Sequence, residues 1–151
     1  MSSASEEFDG RVRLATYRHF LDTGAAPSPA ELAVALASTA GAVREAWERL
    51  AEEHVLALQP GSRALWMAMP FSAVPTAFRV RTARGVWWAN CAWDALGIAA
   101  MLDSPAVVET TCGDCGDAMT LETAVGAQQF GEGLVHFAVP ARNWWDDIGF
   151  T

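Results

Sequence analysis

Residues 87–96 read Trp87-Trp88-Ala89-Asn90-Cys91-Ala92-Trp93-Asp94-Ala95-Leu96. Bulky aromatics give way at Asn90 to alanines and leucine, which predicts a strand running into a helix over Asn90–Leu102. Asn90 is the expected N-cap, placing Cys91 in the first turn. The unpaired N–H groups of a helix start favour negative charge, so a thiol there is biased toward thiolate. Asp94 lies three residues on and shares a helix face with that sulfur. Such a pair can divide labour: the sulfur binds a soft electrophile or metal, and the carboxylate takes or gives a proton. Trp88 and Trp93, with Trp87, are expected to wall the site from water and so to raise both pKa values. The plainer alternative is a buried Cys91 packing as a small hydrophobe, with Asp94 as an ordinary helix-start residue.

The pattern on either side fills in an architecture. Before the junction, Ala77–Thr82 and Val86–Ala89 read as strands joined by the turn Ala83-Arg84-Gly85. After it, Ala106–Thr111, Met119–Glu122 and Leu134–Val139 read as further strands of a small mixed sheet. Pro70 and Pro75 mark a boundary, and upstream of them the periodicity is helical. Val12, Ala15, Phe20 and Leu21 fit one helix face ending near Gly24. Ser28, Pro29 and Glu31 form the signature of a capping box. Val43, Ala46, Trp47, Leu50 and Ala51 mark a third helix after Ser38-Thr39. His54–Leu58 and Ala64–Met69 then read as a hairpin. Three helices followed by a hairpin is the order of a winged helix. The expected fold is α+β: a flexible tail over 1–8, a winged-helix-like cap over 9–69, and a mixed-sheet domain over 70–151 on which the cap packs.

Composition removes whole classes of function. With 151 residues, 52% hydrophobic and 19% charged, and a mean hydropathy of +0.14, the chain is not disordered. No apolar run reaches the roughly 18 residues of a membrane span, and the polar, acidic start is no secretory signal. Three cysteines make no disulfide framework, so a reducing, cytoplasmic location is expected. The net charge of −8, with every cation an arginine, argues against nucleic acid as a partner. The third helix sets Arg44 and Arg49 against Glu45, Glu48, Glu52 and Glu53, a poor face for phosphate. A small-molecule partner is the expectation that survives; oligomeric state is not legible.

A second constellation is Thr111-Cys112-Gly113-Asp114-Cys115-Gly116. A Cys-x-x-Cys pair in a Gly-rich turn can chelate a soft metal or cycle as a dithiol. Structural zinc takes about four ligands. The remaining two would have to come from Cys91, a carboxylate, or His19, His54 and His136, none of which has supporting spacing. The alternatives are a tight turn with partly buried thiols, or a turn that lends a thiol to the Cys91 site. His136 is expected within a strand, facing its neighbour. Met67 and Met69 alternate in one strand and read as core packing. Trp144-Trp145-Asp146-Asp147 reads as a helix start covering the core.

These residues together resemble the organomercurial (alkylmercury) lyase family. The resemblance runs from about Pro70 to Thr151, in Pro70-Phe71-Ser72, Pro75-Thr76, Trp88-Ala89-Asn90-Cys91-Ala92-Trp93-Asp94-Ala95-Leu96 and Cys112 after a strand. It implies cleavage of a carbon–mercury bond without a resident cofactor, Hg(II) being a product ligand. By resemblance, Cys91 is a mercury-binding thiolate and Asp94 the group that shuttles a proton to the leaving carbon. Cys112 matches a family cysteine regarded as structural. The resemblance puts the family's second catalytic cysteine downstream of the segment like Ala141–Thr151; the expectation is either a truncated member of the family or a chain in which Cys112 or Cys115 serves as the auxiliary thiol. A soft-metal or thiol-ligand binder without catalysis, and a lyase-like fold turned to other small-molecule chemistry, are the competing expectations.

Overall fold

The computed structural model describes residues 3–124 and 134–150. The chain divides into two compact units, Met1–Ala73 and Val74–Thr151. The fold is α+β, and every strand pairing within each unit is antiparallel. No helix among the described residues is long and apolar enough to cross a membrane.

The first unit holds α1 (Ser3–Thr23), α2 (Pro29–Ala35) and α3 (Ala40–Glu52), then β1 (Ala57–Leu58), β2 (Leu65–Ala68) and β3 (Phe71–Ser72). Its core is Val12, Phe20, Leu32, Val43, Ala46, Trp47 and Leu50 from the three helices, closed by Leu56, Leu65, Ala68 and Phe71. The expected capping box forms: Ser28 Oγ accepts the Glu31 N–H at 3.2 Å, and Glu31 Oε2 accepts the Ser28 N–H at 2.7 Å. Thr39 caps α3 through the Ala42 N–H at 3.1 Å. Two polar links run through the helical core. Trp47 Nε1 donates to Thr16 Oγ1 at 3.1 Å. Arg49 donates to both Asp9 oxygens, at 2.8 and 2.7 Å, and Asp9 is 5% exposed.

Two expectations for this unit are corrected. Residues before Asp9 are not all tail, because α1 begins at Ser3. An acidic first turn stabilises a helix start without any apolar face, so the periodicity missed it. The first strand is shorter than His54–Leu58, since His54 takes φ 60° in the left-handed region just past α3.

Among the described residues, the second unit is a four-stranded antiparallel sheet with one α-helix. Its strands are β4 (Phe78–Thr82), β5 (Gly85–Ala89), β6 (Ala106–Thr111) and β7 (Ala118–Thr123); α4 (Ala92–Leu102) lies between β5 and β6. The order is β5-β4-β6-β7. The sheet is therefore not mixed. The β5–α4–β6 crossover carries the chain from β5 past β4 to its far side, where β6 pairs antiparallel with β4. Pairing of Val80 with both Trp87 and Val108 puts these three on one buried face, together with Ala89 and Ala106. Helix α4 packs on β4 and β5, turning Ala95, Ile98, Ala99 and Leu102 inward. The opposite face carries Arg79, Arg81 and Glu109, with Glu109 bridging the two arginines at 2.8 and 2.9 Å. That pairing holds the Glu109 carboxyl below its usual range, chiefly through the Arg79 hydrogen bond.

Leu134–Val139 is not a strand. Leu134, Val135 and Phe137 are 99%, 44% and 42% exposed, so the alternation there buries no continuous face. The expected helix near Trp144 is a short 3-10 turn, Ala141–Asp146, with no fully buried residue.

Removing one partner of the Asp9–Arg49 pair strands a buried charge. Arg49→Ala is expected to lower the unfolding free energy of the chain by about 2–3 kcal/mol, less than a fully buried pair costs because Arg49 is partly exposed. Urea denaturation of the variant beside the parent measures it.

Candidate active site at the start of helix α4

Strand β5 ends at Ala89, paired with Phe78 and fully buried. The chain must turn from ladder to helix within two residues, Asn90 and Cys91. The structure corrects the expected cap. Cys91 itself is the N-cap, at φ −151° and ψ −179°, and its Sγ accepts the Asp94 N–H at 3.5 Å. The first intrahelical bond follows from Ala95 N–H to the Cys91 carbonyl at 3.0 Å. Asn90 is used differently: its Nδ2 donates to Asp94 Oδ2 at 2.9 Å. The asparagine thus positions a carboxylate one helical turn away. An amide and an acid four residues apart are a readable i,i+4 pair.

Thiol and carboxyl are therefore fastened to one helix start, the first through the Asp94 backbone and the second through Asn90. Both are partly buried. Burial pushes the Cys91 thiol up; the Asp94 and Trp93 N–H groups pull it down, and the Asp94 carboxylate adds to the rise. Burial also raises Asp94, against the opposing hydrogen bond from Asn90. The helix start does not make Cys91 a resting thiolate, because desolvation outweighs the N–H groups. The joint rise matches the sequence expectation, with burial the largest cause for both groups. Trp87 is in the core, and Trp88 pairs with Arg79 on the sheet face opposite Trp87. Trp93 is 59% exposed and meets Phe137 edge-on at 6.3 Å. Phe137 in turn lies 5.4 Å from Trp144. These aromatics were not legible as a group because Phe137 sits in a segment whose alternation mimics a strand.

The Cys112–Cys115 turn joins β6 to β7. It is closed by Cys112 N–H to Asp117 carbonyl at 2.8 Å and Gly116 N–H to Cys112 carbonyl at 2.9 Å. The Cys115 and Asp114 N–H groups, in that order, hold the Cys112 thiol below its ordinary range, helped by the Cys115 thiol. Cys115 is shifted up: its largest influence, the Asp117 N–H, lowers it, but contacts with Cys112 and the Asp117 carboxylate together outweigh that pull. Sheet register relates the two cysteine sites. Ala89 pairs with Phe78, and Glu109 with Arg79, so Cys91 and Cys112 both emerge at the end of the sheet where β4 begins. One strand lies between them, a lateral offset of about 10 Å.

All three cysteines are free. Among the described residues no three His, Cys, Asp or Glu side chains gather as a metal site, which leaves the zinc possibility without a ligand set. His136 is exposed in irregular chain, outside any strand. A shallow cleft of about 320 Å³ lies at the other end of the sheet, lined by Arg81, Thr82, Pro105, Glu122 and Thr123 among others, away from Cys91.

The chain is similar to known proteins in two ways. The family model described as alkylmercury lyase, MerB, matches residues 71–151. The solved mercury-bound form of MerB2 shares the fold at TM-score 0.60 with 16% identity, over 83% of this chain and 58% of that chain. This chain therefore spans less than two thirds of that relative's length. No curated protein matches it. With its match over more than half of the sequence, and over the segment that holds both Cys91 and Asp94, the chain belongs to the alkylmercury lyase family.

Proposed function

We propose that the chain binds organomercurials at Cys91 and cleaves their carbon–mercury bond with a proton delivered by Asp94. The observation that carries this reading is the Asn90–Cys91–Asp94 arrangement. A thiol and a carboxyl share one helix start, both with raised pKa, and the carboxyl is held by an amide at 2.9 Å. Family membership supports it; so does the mercury in the related structure, which belongs to that protein alone.

The chemistry follows from those properties. A soft cation displaces the thiol proton of Cys91, and Asp94 is the adjacent base that can take it. The carboxyl then holds a proton in a partly desolvated place. Thiolate bound to mercury pushes electron density toward the Hg–C bond and makes the carbon basic. Protonation by Asp94 breaks that bond. The hydrocarbon takes the Asp94 proton, mercury leaves as Hg(II) on thiolate, and Asp94 returns to carboxylate. No oxidant or resident cofactor enters the balance. A further thiolate is needed to retain the Hg(II), and an added monothiol supplies it in solution.

We read the helical unit, winged-helix-like in its order of elements, as no DNA reader. Arg49, one of the two cations on α3, is engaged with Asp9, and the chain's net charge is −8. A small-molecule substrate and a cytoplasmic setting fit this reading.

Phenylmercury with excess glutathione should yield benzene. Cys91→Ala and Asp94→Ala should each cut release by about 100-fold or more, the scale of a lost acid–base group. Unchanged release in both variants sinks the proposal. Mercury retained stoichiometrically with no benzene makes the chain a binder instead.

Folded Asp94 keeps its proton more tightly than the unfolded chain does, because its pKa is raised. That contribution to stability is complete below the ordinary carboxylate range and disappears as pH climbs through the raised folded value. Asp94→Asn cannot ionise, yet can still accept from Asn90. At pH 8 its melting temperature should exceed the parent's by about 2–4 °C, the effect of ~1 kcal/mol in a protein this size. At pH 3 the two should agree. Thermal melts followed by circular dichroism read the difference.

A further inference from the structure

The Cys112–Cys115 turn is not used by the proposed reaction, and its geometry is that of a ligand clamp. Gly116 takes φ 76°, a left-handed conformation in which a side chain is strained, and this folds the turn back on itself. The fold-back lets the Gly116 N–H reach the Cys112 carbonyl at 2.9 Å. The Cys115 and Asp114 N–H groups and the Cys115 thiol then act on Cys112 and hold its thiol below the ordinary range. The Asp117 carboxylate contacts the Cys115 thiol. Cys115 is exposed and Cys112 half-buried, so the pair opens to solvent.

We propose that Cys112 and Cys115 form a second mercury site, a dithiol clamp for Hg(II), separate from Cys91. Two thiolates from one turn suit a soft cation that is content with two sulfur ligands. They do not suit zinc, which takes about four, and among the described residues no three His, Cys, Asp or Glu side chains are grouped to hold a metal ion. Binding exchanges two S–H bonds for two S–Hg bonds and releases two protons, and no electrons move. The N–H groups around Cys112 are ready donors to a thiolate, so the turn is organised for the bound state before the ion arrives.

The test uses the full chain in a Cys91→Ser background, which removes the other thiol. HgCl2 is added at one equivalent, glutathione is titrated in as competitor, and protein-bound mercury is measured after gel filtration. The Cys91→Ser chain should hold about one mercury, with both Cys112 and Cys115 shielded from iodoacetamide by mass spectrometry. Adding Cys115→Ser should weaken retention by roughly 100-fold, the low end of what a second tethered ligand contributes. ZnCl2 in place of HgCl2 should be lost to the same competitor. Equal retention with and without Cys115, alkylation of either thiol in the mercury-loaded chain, or zinc held as firmly as mercury overturns the clamp. Because Cys91 is absent throughout, the result stands apart from whether Cys91 and Asp94 cleave a carbon–mercury bond.

Discussion

The hydrogen bond from the Asp94 N–H to Cys91 Sγ is the constraint on which the second unit turns. A helix start leaves backbone donors without partners, and most sequences assign them to an oxygen. Here the strand runs to Ala89 and the helix begins at Ala92, so the cap position falls on a cysteine. Sulfur is a weaker acceptor than a hydroxyl or an amide oxygen. The same geometry fixes the rotation of α4, and with it the side on which the Asp94 carboxyl stands. A local backbone requirement thus brings the thiol and the acid together.

Two opposing fields then act on that pair. The N–H groups of the helix start favour anions, whereas partial burial disfavours them, and burial dominates for both side chains. At the exposed β6–β7 turn the balance is reversed for Cys112, where backbone donors act with little desolvation to oppose them. One chain therefore holds thiols in two electrostatic settings: Cys91, whose proton is held more tightly than in a free thiol, and Cys112, whose proton is held less tightly.

Where the sequence carried a physical signal of short range, the structure follows it. Ser28 and Glu31 form their reciprocal cap, and β6 occupies Ala106–Thr111 as the β-branched run predicts. The Cys91–Asp94 pairing was readable because three residues in a helix bring two side chains to one face. The identity of the cap was not, because asparagine is the stronger capping residue, whereas the helix begins one residue later and Asn90 bonds Asp94 instead. Strand direction was not legible either, since it depends on whether the α4 crossover lands beside β5 or beyond β4. Leu134–Val139 shows the limit of alternation: the pattern is present, but a strand also needs an edge to pair with.

Trp93 adds an optical consequence. Its indole stands 59% exposed, two positions from the sulfur of Cys91, while Trp47 and Trp87 are sealed in apolar packing. Heavy nuclei quench excited indoles at short range through spin–orbit coupling. Any mercury lodged on that sulfur would dim the red-shifted, water-facing part of the emission and spare the blue-shifted interior part. The fold thus carries its own fluorescent gauge of occupancy, with no dye attached.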